Sequence, residues 1–199
     1  APAIWLGWSL GGLIALNAAL RHPHKVAKLV LVGTTPRFVQ APDWPHAMSK
    51  EVFADFARGL TQDYRATLLR FLSLQVGGNE STRTLLKRLR AEMFAHGEPQ
   101  AEALAAGLAI LEQTDLRARL AEIRMPALVA HGSHDRLAPP AAGEYLAAQL
   151  PQARWLRLEG AGHAPFLSHV TLLADAVCAG VPGVPSPATL ARPGATEAL

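Results

Sequence analysis

The pattern Gly7-Trp8-Ser9-Leu10-Gly11 constrains this chain more than anything else in it. It is a G-x-S-x-G turn set directly between an apolar run at 3–8, which reads as a buried strand, and a helical recurrence at 10–21. A serine in that place sits on a turn so sharp that large flanking side chains would strike the adjoining strand and helix. The turn holds Ser9 out of the sheet and aims the first helical N–H groups, Leu10 foremost, at any negative charge that develops beside it. His22-Pro23 ends the helix, and 26–32 is an almost unbroken apolar run, the character of a strand covered on both faces. Strand, helix and strand in this order form a βαβ unit, which calls for a parallel sheet.

The chain changes character from about 36 to 120. Apolar residues recur at helical spacing over 62–76, 81–93 and 99–111, with Pro99 suited to a first helical turn. Strand character returns at 127–130 and again at 155–158, with a helix near 140–150 between them and a final helix over 166–179. The resulting order predicts an α/β domain from 1–35 and 121–179, a helical cap inserted at 36–120, and a disordered Pro- and Gly-rich tail at 180–199. Such a cap belongs across the carboxyl ends of the strands, where open α/β sheets place their sites.

A serine hydroxyl at its ordinary pKa is a poor nucleophile and needs a histidine base and an acid to orient that base. The chain supplies both in order. Asp135 follows the 127–130 strand in His131-Gly132-Ser133-His134-Asp135, and His163 follows the 155–158 strand in Gly160-Ala161-Gly162-His163. The two loops are one strand-helix-strand step apart, so both should emerge at the same sheet edge. Each residue also has a plainer interpretation: Ser9 as a helix cap in a tightly packed turn, Asp135 as a turn former before Arg136, and His163 as a core imidazole. His134 competes with Asp135 for the acid loop, His131 is expected to end its strand beside that loop, and His169 is expected to be structural within the last helix. A metal held by His131, His134 and His163 would leave the serine motif unexplained, so no metal or other cofactor is expected.

Composition narrows the remaining classes. Half of the 199 residues are hydrophobic and 18% are charged, enough to bury a sizeable core. A net charge of +3 is too small to suggest the dense basic face of a nucleic-acid binder. The lone Cys178 excludes an intramolecular disulfide and a cysteine-held metal. No basic leader precedes the first apolar run, and no stretch approaches the length of a membrane span, which points to a soluble, cytoplasmic protein, expected to be monomeric.

Taken with Gly7 to Gly12, the run Gly160-Ala161-Gly162-His163-Ala164-Pro165-Phe166-Leu167-Ser168-His169 closely resembles the pimeloyl-carrier-protein methyl ester esterases of biotin synthesis, members of the α/β-hydrolase family. Ala3-Ile4-Trp5-Leu6, Arg70-Phe71-Leu72-Ser73-Leu74-Gln75 and Thr114-Asp115-Leu116-Arg117 carry the likeness too, over residues 3–178. The resemblance implies an α/β-hydrolase fold with Ser9 as nucleophile, His163 as proton shuttle and Asp135 behind the imidazole. It further implies the Leu10 N–H as one oxyanion donor, with Trp8 and Phe71 against the acyl chain. The second donor would belong to an early loop that this sequence lacks. Relatives carry about 70 further residues before this point, so the chain reads as the C-terminal part of the sheet, from the nucleophile strand onward, with its first strand left unpaired on one side.

The segment from Arg65 to Arg90 carries Arg65, Arg70, Arg83, Lys87, Arg88 and Arg90 against Glu80 alone. A solvated helix face would account for that. The resemblance implies instead that Arg70, Arg83 and Lys87 meet an acyl carrier protein and its phosphopantetheine. A short-chain carboxylesterase or lipase-like hydrolase would use the same triad, and a non-catalytic relative that binds a ligand would keep the fold; a haloalkane dehalogenase would place aspartate where Ser9 stands.

Overall fold

The computed structural model describes residues 1–74, 87, 91 and 99–179. Four parallel strands lie in the order in which they occur in the sequence: β1 (Ala3–Trp8), β2 (Val26–Val32), β3 (Ala127–Gly132) and β4 (Ala153–Leu158). Helix α1 (Leu10–Arg21) joins β1 to β2, and α5 (Pro140–Gln149) joins β3 to β4. Between β2 and β3 lie α2 (Lys50–Gln62), α3 (Tyr64–Leu74) and α4 (Ala101–Gln113), followed by a 3-10 turn at Arg117–Glu122. The short α6 (Pro165–Ser168) and then α7 (Val170–Cys178) close the described chain.

Alternation along the central strands explains their unbroken apolar sequence. Leu29, Leu31 and Val129 face Leu13 and Leu16 of α1 and Leu146 of α5, whereas Val30, Val32, Leu128 and Ala130 face Leu173 of α7 on the opposite side. Each of these side chains is buried, so both faces of β2 and β3 must be hydrophobic. Lys28 on β2 donates to the carbonyls of Val177 and Ala179 at 3.0 and 3.1 Å, which satisfies the C-terminal end of α7.

Four expectations need correction. β1, read from its apolar run as a buried strand, instead forms the sheet edge with one side unpaired, as the resemblance implies, and Ile4 and Leu6 are 43% and 60% exposed because nothing among the described residues covers that side. Helix α2 lies inside the helical cap expected at 36–120 but is not one of the three helices read there, although Ser49 caps it by accepting from Val52 N–H at 3.3 Å and Val52, Phe53, Phe56 and Leu60 recur along it. Helix α4 begins at Ala101 with Gln100 as its cap, so Pro99 precedes the first turn instead of forming it. The final helix is broken between Ser168 and Val170, where His169 adopts φ −127° and ψ 43° and separates α6 from α7. The expected helix at 81–93 lies outside the described residues except at Lys87 and Ala91, both helical, and the 180–199 tail lies outside them entirely.

Candidate active site

Ser9 is the one described non-glycine residue with positive φ, at 53° with ψ −121°. Backbone in that region costs about 1–3 kcal/mol and persists only where surrounding contacts impose it. Here β2 imposes it: Ser9 N–H donates to Val32 O at 3.0 Å, and Thr34 Oγ1 donates to Ser9 O at 2.8 Å. A side chain at Gly7 would collide with the Gly11 carbonyl, and one at Gly12 would collide with Thr34, so both positions need glycine for the turn to close against the neighbouring strand. The Ser9 side chain makes no bond to α1, which removes the helix-cap interpretation.

Asp135 and His163 come together from the loops after β3 and β4. The register that pairs Gly132 with Leu158 starts both loops side by side. Bonds from Ser133 N–H to Leu158 O (3.0 Å), His134 N–H to Ala161 O (2.9 Å) and Gly160 N–H to Ser133 Oγ (2.8 Å) then tie them together. His163 Nδ1 donates to Asp135 Oδ2 at 2.8 Å, and both side chains are fully buried. The other carboxylate oxygen, Oδ1, accepts from the N–H groups of Leu137 (2.9 Å) and Ala138 (3.0 Å). With the Nδ1 proton committed to a carboxylate, Nε2 of His163 carries the lone pair, and it is buried without a hydrogen-bond partner. A buried imidazole nitrogen left unpaired is costly for stability and is the disposition a general base requires.

Two further contacts hold this arrangement, and the sequence pattern did not reveal them. Trp8 Nε1–H donates to the His163 carbonyl at 2.8 Å, and its ring lies 5.5 Å from the imidazole. Gly33, at φ 52°, passes so close that an added Cβ would lie 2.9 Å from His163 O and 3.4 Å from Asp135 Oδ2. Its place directly after an apolar strand was the available signal.

Ser9, Leu10, Trp8 and His163 open on a cavity of about 700 Å³ whose wall is almost wholly apolar. Phe53, Phe56 and Leu60 of α2, Leu68 and Phe71 of α3, and Leu104 and Leu108 of α4 cover it from the cap side. Phe71 stacks on Phe56 at 5.1 Å and presents its edge to His163 at 6.2 Å. Such a cavity can receive a long hydrocarbon chain beside a nucleophile while excluding water. The structure therefore gathers Ser9, Leu10, Trp8, Phe71 and His163 around one space, with Asp135 buried behind the His163 ring. Arg70 lies outside it, exposed at the rim of a smaller pocket with Asp55 and Thr67; Lys87 is exposed, and Arg83 falls outside the described residues. His134 is exposed and His169 meets Ser168 Oγ at 2.8 Å.

The neck of the cap is fastened by charge. Asp115 accepts from Arg37 at 2.8 Å and from Arg117 at 2.7 Å, while Arg117 also reaches Asp43 at 3.0 Å and lies over the Trp44 ring. Hydrogen bonding to Arg117 foremost, with Arg37 adding to it, holds the Asp115 carboxyl well below the usual carboxylate range.

Comparison with known proteins places this geometry among its relatives. Residues 1–170 match the family model described as alpha/beta hydrolase fold. A pimeloyl-[acyl-carrier protein] methyl ester esterase of Xanthomonas campestris pv. campestris is 48% identical over 175 residues, spanning 88% of this chain and 69% of the relative. One of Aromatoleum aromaticum is 46% identical over 172 residues, spanning 84% and 69%. Among solved structures, an esterase from Exiguobacterium antarcticum superposes with a TM-score of 0.76 at 25% identity, over 87% of this chain and 64% of that one. The chain thus spans roughly two thirds of the length of the proteins it matches.

Proposed function

The chain belongs to the α/β-hydrolase fold family and, within it, to the pimeloyl-[acyl-carrier protein] methyl ester esterases, and from that premise we propose that it is a serine esterase acting on the methyl ester of a pimeloyl chain borne by acyl carrier protein. The observation that carries the proposal is His163, fixed by Asp135 at Nδ1 and unpartnered at Nε2, in the same cavity as the strained Ser9.

In this reaction His163 Nε2 takes the Ser9 proton as Oγ bonds to the ester carbonyl carbon. The Leu10 N–H, first in α1, is the donor we assign to the oxyanion. Collapse breaks the bond to the methoxy oxygen, which leaves as methanol with the proton from His163. Water then repeats the attack on the acyl-Ser9 ester, giving up its proton to His163, and the free carboxylic acid departs as Ser9 regains its hydrogen. Asp135 holds the imidazole in the required tautomer and balances its positive charge. Trp8 and Phe71 line the path of the acyl chain, and the exposed Arg70 and Lys87 meet the carrier protein, a role the sequence assigns to Arg83 as well. A substrate held on acyl carrier protein would be met in the cytoplasm, which is the location this reading assigns.

A fluorophosphonate probe should label the protein, and Ser9→Ala should abolish labelling; a folded protein that is never labelled would instead be a binding relative. Methanol release from pimeloyl methyl ester on its carrier, compared with hydrolysis of a short nitrophenyl ester, tests the narrower assignment. Equal kcat/KM on both substrates would favour a general short-chain carboxylesterase, whose triad is the same. Among the described residues no helix is long and apolar enough to cross a membrane.

A further inference from the structure

A second imidazole lies behind the acid. His131, at the end of β3, is fully buried, with Nε2 2.8 Å from Ala138 O and 3.4 Å from Asp135 Oδ2. Both neighbours of Nε2 are acceptors, so Nε2 bears the proton and Nδ1 the lone pair. Nδ1 has no hydrogen-bond partner and faces Gly143 of α5, where a Cβ would collide with it. The ring rests 6.0 Å from Trp155 of β4. Glu144 of α5, itself 3.5 Å from Arg157 of β4, is the other charged group nearby. Burial pulls the His131 pKa below its usual value, outweighing the pull of Asp135 in the other direction, and keeps the ring neutral.

These contacts close a ring. His131 holds the Ala138 carbonyl, the Ala138 N–H holds Asp135 Oδ1, and Asp135 Oδ2 faces back toward the His131 N–H. We propose that His131 is a positioning residue for the esterase reaction, its Nε2–H fixing the 135–138 loop and the Asp135 carboxylate so that the carboxylate meets His163 squarely. The proposal rests on the Ser9, His163 and Asp135 reading given above. A neutral donor suits this task, because a positive charge on Oδ2 would compete with the imidazolium that forms on His163 during turnover. A residue that merely filled the space beside Trp155 would need no proton at Nε2.

Glutamine and asparagine separate positioning from packing. The amide of His131→Gln can place an N–H where Nε2–H stands, whereas that of His131→Asn ends near Nδ1 and leaves Ala138 O and Asp135 Oδ2 without it. On a soluble nitrophenyl ester, H131N should lower kcat about tenfold with KM within about twofold, and H131Q should stay within about threefold of the unsubstituted protein. The low-field proton NMR signal of the His163 Nδ1–H bound to Asp135 should persist in H131Q and shift or broaden in H131N. Folded H131N and H131Q that behave alike in both measurements would overturn the proposal, as would failure of H131Q to fold. The proton signal reads the carboxylate's placement whether or not Ser9-dependent hydrolysis is seen, and absence of that hydrolysis in the unsubstituted protein would defeat the esterase reading alone.

Discussion

Trp8 donates its indole N–H to the backbone carbonyl of His163, 155 positions away, so the residue just before Ser9 fastens the loop that carries the imidazole. The bond joins the end of β1 to the loop after β4, across the width of the sheet. Trp8→Phe keeps most of the ring, which also packs edge-on against Phe166 at 5.1 Å, and removes the donor. The stranded carbonyl should cost about 1–2 kcal/mol of stability. Denaturant unfolding should show that loss, and kcat on a small ester should fall about fivefold as His163 loosens. Unchanged kcat with lowered stability would assign Trp8 to packing alone.

Ser9 combines a reactive position with a backbone that only glycine adopts freely. Ser9→Ala and Ser9→Gly both remove the hydroxyl and should both be inactive. Their stabilities should differ in an unusual direction, because at φ 53° the alanine retains the strain and the glycine sheds it. Less the extra chain entropy glycine surrenders on folding, Ser9→Gly should be more stable than Ser9→Ala by about 1 kcal/mol. Urea unfolding of the two inactive variants measures this directly, and an alanine variant as stable as the glycine one would mean the turn relaxes.

The parts legible in sequence are those fixed by short-range pattern. The apolar run at 26–32 coincides with β2, because both faces of that strand are covered from Leu29 to Val32 and each of those four positions is buried. The serine turn was readable because steric crowding leaves so few residue types beside it. Helix α2 lies within the expected helical cap at 36–120 but outside the three apolar recurrences read there, although the Ser49 cap and the Phe53, Phe56 and Leu60 stripe are present. The break at His169 left no mark in apolar spacing, since Phe166 and Leu173 both stay on one face of the sheet. The pairing of Asp135 with His163 depends on the register of β3 with β4, which spacing along the chain cannot convey, and the ring through His131 depends on it too.

Asp115 gives the neck of the cap a pH dependence of definite sign. Its carboxyl is held below the ordinary 3.8 by Arg117 and Arg37, so the folded state favours the ionised form more than the unfolded chain does. The stabilisation is complete above that ordinary value and is lost as pH falls toward the depressed folded value. Asp115→Asn should therefore be less stable than the unsubstituted protein at pH 7, with the gap narrowing at pH 3. Chemical unfolding at the two pH values gives the comparison, and a gap that widened in acid would contradict the assigned geometry.

The proposed carrier contacts Arg70 and Lys87 call for a collective test, since single exposed pairs contribute little. Arg70 and Lys87 are both exposed and neither lines the apolar cavity, so reversing their charge leaves the chemistry of Ser9 and His163 untouched. A carrier protein approaching on an acidic helix and a phosphate would feel the change through steering and pairing. The double variant Arg70→Glu, Lys87→Glu should raise KM for the carrier-borne methyl ester about tenfold at low salt and change kcat little. Hydrolysis of a soluble nitrophenyl ester should be unaffected. The defect should shrink as salt is added, because added ions screen the native attraction and the engineered repulsion alike. Equal losses on both esters would show that the substitutions had disturbed α3 and the cavity wall at Phe71, and a carrier substrate indifferent to the reversal would remove this face from the docking surface.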